Sequence, residues 1–162
     1  MDGAGGFLGG LATTPLSHAM RTSLWLYPIV EIFHILGFVI LVGSVAMFDL
    51  RLLGWSRLLA VQGLGRHLLP WSVAGLALIV PAGLMMFSAH PHEFAQSRIF
   101  ALKLTLIAAA GLNAVLFHVG VYRSVARWDT GVAAPLPARL HALASLAIWI
   151  AVIACGRLLA YT

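Results

Sequence analysis

Four apolar runs dominate this chain: Leu24–Met47, Leu68–Phe87, Ile99–Val121 and Leu140–Ala160. Each reaches the ~20 residues that carry an α-helix across a bilayer. Lipid offers no hydrogen-bond partner to a bare peptide group, so a spanning segment must satisfy its backbone internally. Runs of this kind do so as helices. The fold class that follows is all-α: an integral membrane bundle of four antiparallel helices, with spans at about residues 24–48, 67–88, 99–123 and 139–161. Composition agrees. Of the 162 residues 61% are hydrophobic and 9% charged, where a soluble domain carries about 25% charged residues. The length holds a single transmembrane domain with little left over.

Short connections make sequential helices antiparallel neighbours. Small residues at helical spacing (Gly37 and Ser44, Ala74 and Ala82, Gly111 and Ala114, and Ser145) permit close helix approach. Ahead of the first span, Thr14-Pro15 reads as a helix start, with Thr as N-cap and Pro in the first helical position. A short amphipathic interfacial helix is expected over Pro15–Ser23, with Pro28 bending its junction to the first span. Met1–Gly10 is Gly-rich and carries Asp2 where a secretory signal places Lys or Arg, so it is not read as a signal peptide.

Arginine placement sets an expected orientation. Arg51, Arg57 and Arg66 flank the first connection, and Arg123, Arg127 and Arg139 the third. By the positive-inside rule both connections are cytoplasmic, and the termini and the Ser88–Ser97 connection face the periplasm of a bacterial inner membrane. Trp25, Tyr27, Trp71, Trp128 and Tyr161 fall where aromatic belts form. The net charge of +5 does not indicate nucleic-acid binding, because the arginines sit at span boundaries and not in a patch. Cys155 is the single cysteine, so no disulfide can form within the chain.

Each span carries one histidine in or beside it: His34, His67, His118 and His141. Ionisable groups at such places are costly and mark functional sites. Four helices with one imidazole apiece suit a bundle that holds haem b, with histidines on iron. Glu31 and His34, spaced i, i+3, share a helix face, where a carboxylate beside an imidazole can relay a proton or orient a ligand. The alternative is a polar clamp between Glu31 and Lys103 or Arg157. Gly111, Ala114 and His118 share a face that leaves room for a macrocycle. His67, Trp71, Ala74, Leu78 and Met85 form one stripe, and His141, Ser145, Ile148, Val152 and Cys155 another; two such stripes could clamp one haem, with Arg66, Arg123 and Arg139 meeting its propionates. Depth opposes a simple His34–His118 pair: His34 lies about ten residues past its outer boundary and His118 about nineteen, a difference of roughly 13 Å at 1.5 Å per residue. Near the outer face Met85, Met86, His90, His92 and Glu93 offer thioether, imidazole and carboxylate groups that suit copper or a harder metal. No phosphate-binding glycine loop follows Gly3–Gly10, and no Ser-His-Asp, Cys-His or zinc-type spacing is present.

The stretches Leu24-Trp25-Leu26-Tyr27-Pro28, Glu31-Ile32-Phe33-His34, Asp49-Leu50-Arg51-Leu52-Leu53-Gly54, Phe100-Ala101-Leu102-Lys103, Leu112-Asn113-Ala114, Phe117-His118 and Gly156-Arg157-Leu158-Leu159-Ala160-Tyr161 together give a resemblance. From about Thr14 to Tyr161 the chain resembles an uncharacterised family of small bacterial four-helix inner-membrane proteins, classed as a domain of unknown function. The resemblance points to Glu31, His34, Lys103, Asn113, His118 and Arg157, and less to His67 and His141. The architecture is also similar to four-helix b-type cytochromes and to copper-resistance membrane proteins, a likeness of fold alone. The function expected is a small cytochrome-like protein moving electrons between a quinone or a larger membrane complex and a periplasmic redox protein. Glu31 would handle protons at a quinone-accessible site, with Lys103 and Arg157 beside the cofactor. A copper-handling protein and a cofactor-free subunit are the other expectations.

Overall fold

The computed structural model describes residues 3–161. The chain is all-α, with no strand among the described residues. The order is α1 (Gly3–Ala12), α2 (Pro15–Thr22), α3 (Leu26–Leu53), α4 (Val61–Ala89), α5 (Pro91–Gln96), α6 (Arg98–Val119) and α7 (Leu136–Leu158), with short 3₁₀ helices at Val121–Arg127 and Leu159–Tyr161. Helices α3, α4, α6 and α7 are long and apolar enough to cross a membrane, and the protein is a multi-pass membrane protein. Phe33, Leu84, Leu112 and Ile150 point outward, which suits contact with lipid tails as apolar as themselves.

The chain divides into two compact units: the segment up to Leu41 with Val73–Arg98, and Val42–Ser72 with the segment from Ile99 on. The second unit contains parts of all four spanning helices.

Along α3 the residues Val30, Gly37, Ser44 and Arg51 are buried at intervals of seven, and along α4 so are Val61, Leu68, Gly75, Ala82 and Ala89. A seven-residue period keeps one seam of a helix against its neighbour. In the first unit the two seams meet antiparallel at glycine. A β-carbon on Gly75 would stand 2.7 Å from the Gly37 carbonyl oxygen, and one on Gly37 would stand 2.8 Å from Leu78 Cβ. No side chain fits there, so the two backbones touch. One end of this unit is closed by the N-terminal segment. Thr14 caps α2 by accepting from the Ser17 amide at 3.2 Å, as Thr14-Pro15 predicts. Ser17 Oγ donates to the Ser88 carbonyl at 2.6 Å. Arg21 donates to Ser17 Oγ at 2.6 Å, to the Ala89 carbonyl at 3.0 Å and to the Ala12 carbonyl at 2.8 Å. These carbonyls lie at helix ends, where no intrahelical donor is left.

In the second unit Phe48 of α3 meets Phe117 of α6 edge to face at 5.9 Å. Leu52, Val61, Trp128, Ala138 and Ala142 complete the apolar core around Phe117. At one end the first and third connections are sewn together. Arg51 is 2% exposed. It donates to the carbonyls of Leu59 at 2.7 Å, Arg57 at 3.0 Å and Asp129 at 3.0 Å. Asp129 in turn accepts from the Val61 amide through its backbone at 3.0 Å and from the Gln62 amide through its side chain at 2.8 Å. It therefore caps α4 from across the chain. Both connections lie at the same end of this unit.

The helix bounds differ from those expected, for local reasons. α3 continues past residue 48 through Leu53 and stops at Gly54, whose φ of +111° favours glycine. The Trp55 amide bonds the Leu50 carbonyl at 3.0 Å and the Gly54 amide that of Arg51 at 3.1 Å, the paired bonds of a Schellman stop. α6 ends at Val119, not 123, and a 3₁₀ helix takes over. Trp128, expected in an aromatic belt, is buried instead, with its indole N–H on Ser124 Oγ at 3.0 Å. Trp25, Trp71 and Tyr161 are exposed, as belt residues are.

Two outcomes follow, both measured by denaturant or thermal unfolding in detergent. Gly75→Leu forces backbones apart and lowers stability by about 1–3 kcal/mol, while Gly111→Leu, with nothing within 4 Å of its would-be β-carbon, does not. Arg51→Met orphans three carbonyls and costs at least about 3 kcal/mol, whereas Arg57→Met at an exposed site stays within about 0.5 kcal/mol.

Candidate functional site

The histidines sort by what holds their Nδ1 atom. Asn113 on α6 and His141 on α7 are joined twice. Asn113 Nδ2 donates to the His141 backbone oxygen at 3.1 Å, and its Oδ1 faces His141 Nδ1 at 2.7 Å. An amide oxygen can only accept, so Nδ1 carries the hydrogen, and the neutral ring keeps its lone pair on Nε2. His118 Nδ1 lies 2.8 Å from the Ala114 carbonyl oxygen, one turn back on its own helix. The same reasoning fixes the same tautomer there. His34 Nδ1 lies 3.2 Å from the Ile79 carbonyl of α4, and its ring rests 3.3 Å from the would-be β-carbon of Gly83. His34 thus ties α3 to α4 inside the first unit.

His118 and His141 border the same ring. Phe117 lies 5.4 Å from the His118 ring centroid and 5.8 Å from that of His141. His118 is exposed, and Tyr122 sits 5.3 Å from it. His141 is half-buried and lines an open groove of about 320 Å³ together with Asn113, Pro137, Leu140 and Ala144. Asn113 holds that ring from outside the four-histidine set, and an amide in an apolar run is the signal that marks it.

The other expected residues are spread. His67 is exposed, off the α4 seam, and makes no side-chain hydrogen bond among the described residues. The α4 stripe expected to face a neighbour carries Trp71 at 53% exposure, because the packing side of α4 runs through Leu68 and Gly75. The α7 stripe does turn inward at Ser145, Val152 and Cys155. No hydrogen bond or ring contact joins His67, His118 and His141 to one another. Glu31 is exposed on α3. Lys103 is half-buried, its ammonium 3.6 Å from the would-be β-carbon of Gly156, and it makes no ion pair among the described residues. Arg157 donates to the Tyr161 hydroxyl and lies 4.7 Å from that ring's centroid.

Near the second connection Met85 and Met86 pack against Met20, Val30, Ala82 and Ala89. His90 Nδ1 lies 3.4 Å from Glu93 Oε1 at an exposed corner, and His92 is exposed. Among the described residues no three His, Cys, Asp or Glu side chains gather so as to hold a metal ion. Haem asks less, one or two axial nitrogens. No protein-family model, curated protein or solved structure matches this chain.

Replacing Asn113 by Leu should free the His141 ring. Imidazole ¹⁵N spectra are expected to show His141 protonated at Nδ1 in the parent protein and a mixture of tautomers in the variant.

Proposed function

We propose that this chain is a haem-binding electron-transfer protein, with His141 and His118 as candidate axial ligands. The observation that carries the reading is the shared tautomer: both Nδ1 atoms are engaged by carbonyl oxygens, and both Nε2 lone pairs are left for a metal. A histidine on a metal commonly has its second nitrogen held this way, which fixes the ring and raises its basicity. Haem would supply one-electron chemistry there. Asn113 orients one ligand, and Phe117, in ring contact with both imidazoles, keeps their surroundings apolar. Glu31 would exchange protons with a quinone, and Lys103 and Arg157 would attract the anionic groups of a cofactor or partner. In this reading the chain is a multi-pass protein of a bacterial inner membrane, kin to the small four-helix family it resembles. Exposed Arg57, Arg66, Arg123, Arg127 and Arg139 then mark the cytoplasmic side, and both termini are periplasmic.

A cofactor-free membrane subunit is the second reading. What favours it is His34, whose ring is spent on tying α3 to α4, and the methionines, whose thioethers are packed in an apolar cluster. Histidines used in this way need no metal.

Protein purified from haem-replete cells decides between them. The first reading expects a Soret band, with an α-band that sharpens on reduction by dithionite. His141→Ala should lose most of that absorbance, and Asn113→Leu should weaken haem retention roughly 10-fold or more. A colourless preparation that is folded and monodisperse establishes the second.

A further inference from the structure

Asp49 is the acid that the proposed function does not use. It lies on α3 within the second unit, one turn before the helix stops, and is 5% exposed. The Ser145 hydroxyl of α7 lies near it, and its Oδ2 has no partner. Arg51 is two residues on, a spacing that does not bring side chains together on a helix; its Nε and Nη2 are taken by carbonyls and its buried Nη1 has no hydrogen-bond partner, Asp49 included. The charged and titratable groups of the second unit, besides Arg51, are Arg57, Tyr122, Arg123, Arg127 and Asp129 in the connections, Arg66 and His67 on α4, Lys103 and His118 on α6, Arg139, His141, Cys155 and Arg157 on α7, and Tyr161 after it. None forms an ion pair or hydrogen bond with Asp49.

A buried carboxylate needs several donors or a cation. Here one hydroxyl is in reach. The neutral acid meets this environment better. Its O–H can donate to the nearby Ser145 Oγ, and what then remains unpartnered is a single carbonyl oxygen, the orphan that interiors tolerate most readily.

We propose that Asp49 is a proton-binding site: a carboxyl carried as the neutral acid against Ser145, which takes up and gives back its proton at the end of the bundle that Arg51 closes. The ligand is the proton itself, and the site stands whether or not haem is bound.

Dicyclohexylcarbodiimide, which reacts with protonated carboxyls in apolar surroundings, tests this on the full chain in detergent. Mass mapping of the parent protein at neutral pH should find the label on Asp49 and not on Glu31, Glu93 or Asp129. Labelling should fall as the pH is raised. Infrared difference spectra against Asp49→Asn should show one protonated carboxyl stretch missing in the variant. Labelling confined to other carboxyls overturns the proposal, and so does a carboxylate band assigned to Asp49 at neutral pH. The mapping needs no variant, so a failure of Asp49→Asn to fold leaves it decisive.

Discussion

The buried guanidinium of Arg51 organises the second unit. A cation in an apolar interior is expensive unless its donors are met. Here Nε and Nη2 are met by three backbone carbonyls from two connections that are far apart in sequence, while the buried Nη1 has no hydrogen-bond partner among the described residues. The same residues feel the reverse need. Carbonyls in a tight turn at a bundle end have no helix to satisfy them, and Arg51 supplies a planar fork of donors that reaches all three at once. Asp129 closes the circuit by capping the first amides of α4. Long antiparallel helices could slide along a seven-residue seam by one repeat with little apolar loss. A polar knot with fixed partners at one end removes that freedom.

The apolar runs, the antiparallel order and the Thr14-Pro15 cap were all legible in the sequence, because each follows from a local rule: length against bilayer thickness, connection length, and the chemistry of a helix start. The contact at Gly75 was half visible. Gly37 is a marked small residue, but its partner shows only when the period of seven is followed along both helices. The role of Arg51 was not legible, because an arginine near a span end reads as a headgroup contact until the loops fold over it. The extent of α3 was hidden for a related reason. Hydropathy reports depth in lipid, whereas the helix ends where Gly54 allows a left-handed turn.

The candidate site was legible in residue type and not in arrangement. Four histidines in four helices suggest facing pairs, yet His67 lies off the α4 seam and His34 is taken by the Ile79 carbonyl. What sequence could not show is the direction of each ring. Asn113 decides it for His141 and the Ala114 carbonyl for His118, both through the rule that an oxygen acceptor fixes the proton on the nitrogen it faces. The buried acid at Asp49 was likewise visible as a residue, but its burial was not, since it lies close to where the apolar run ends.

A single logic connects these polar groups. Ser145 is one turn beyond His141 on α7, so the two share a helix face. The contacts of α7 therefore run from the Asn113–His141 pair to the Asp49–Ser145 pair within about one helical turn, roughly 6 Å. Around them the core is Phe117, Ala138, Ala142 and Val152, which hold no water-like partner. Polar residues in such a place persist when each solves the other's hydrogen-bond problem. Asn113 and His141 do so by two reciprocal bonds. Asp49 and Ser145 do so when the acid is neutral. Charge at this level of the bundle is thereby avoided, and it is gathered instead at the end, where Arg51 finds the carbonyls that can bear it.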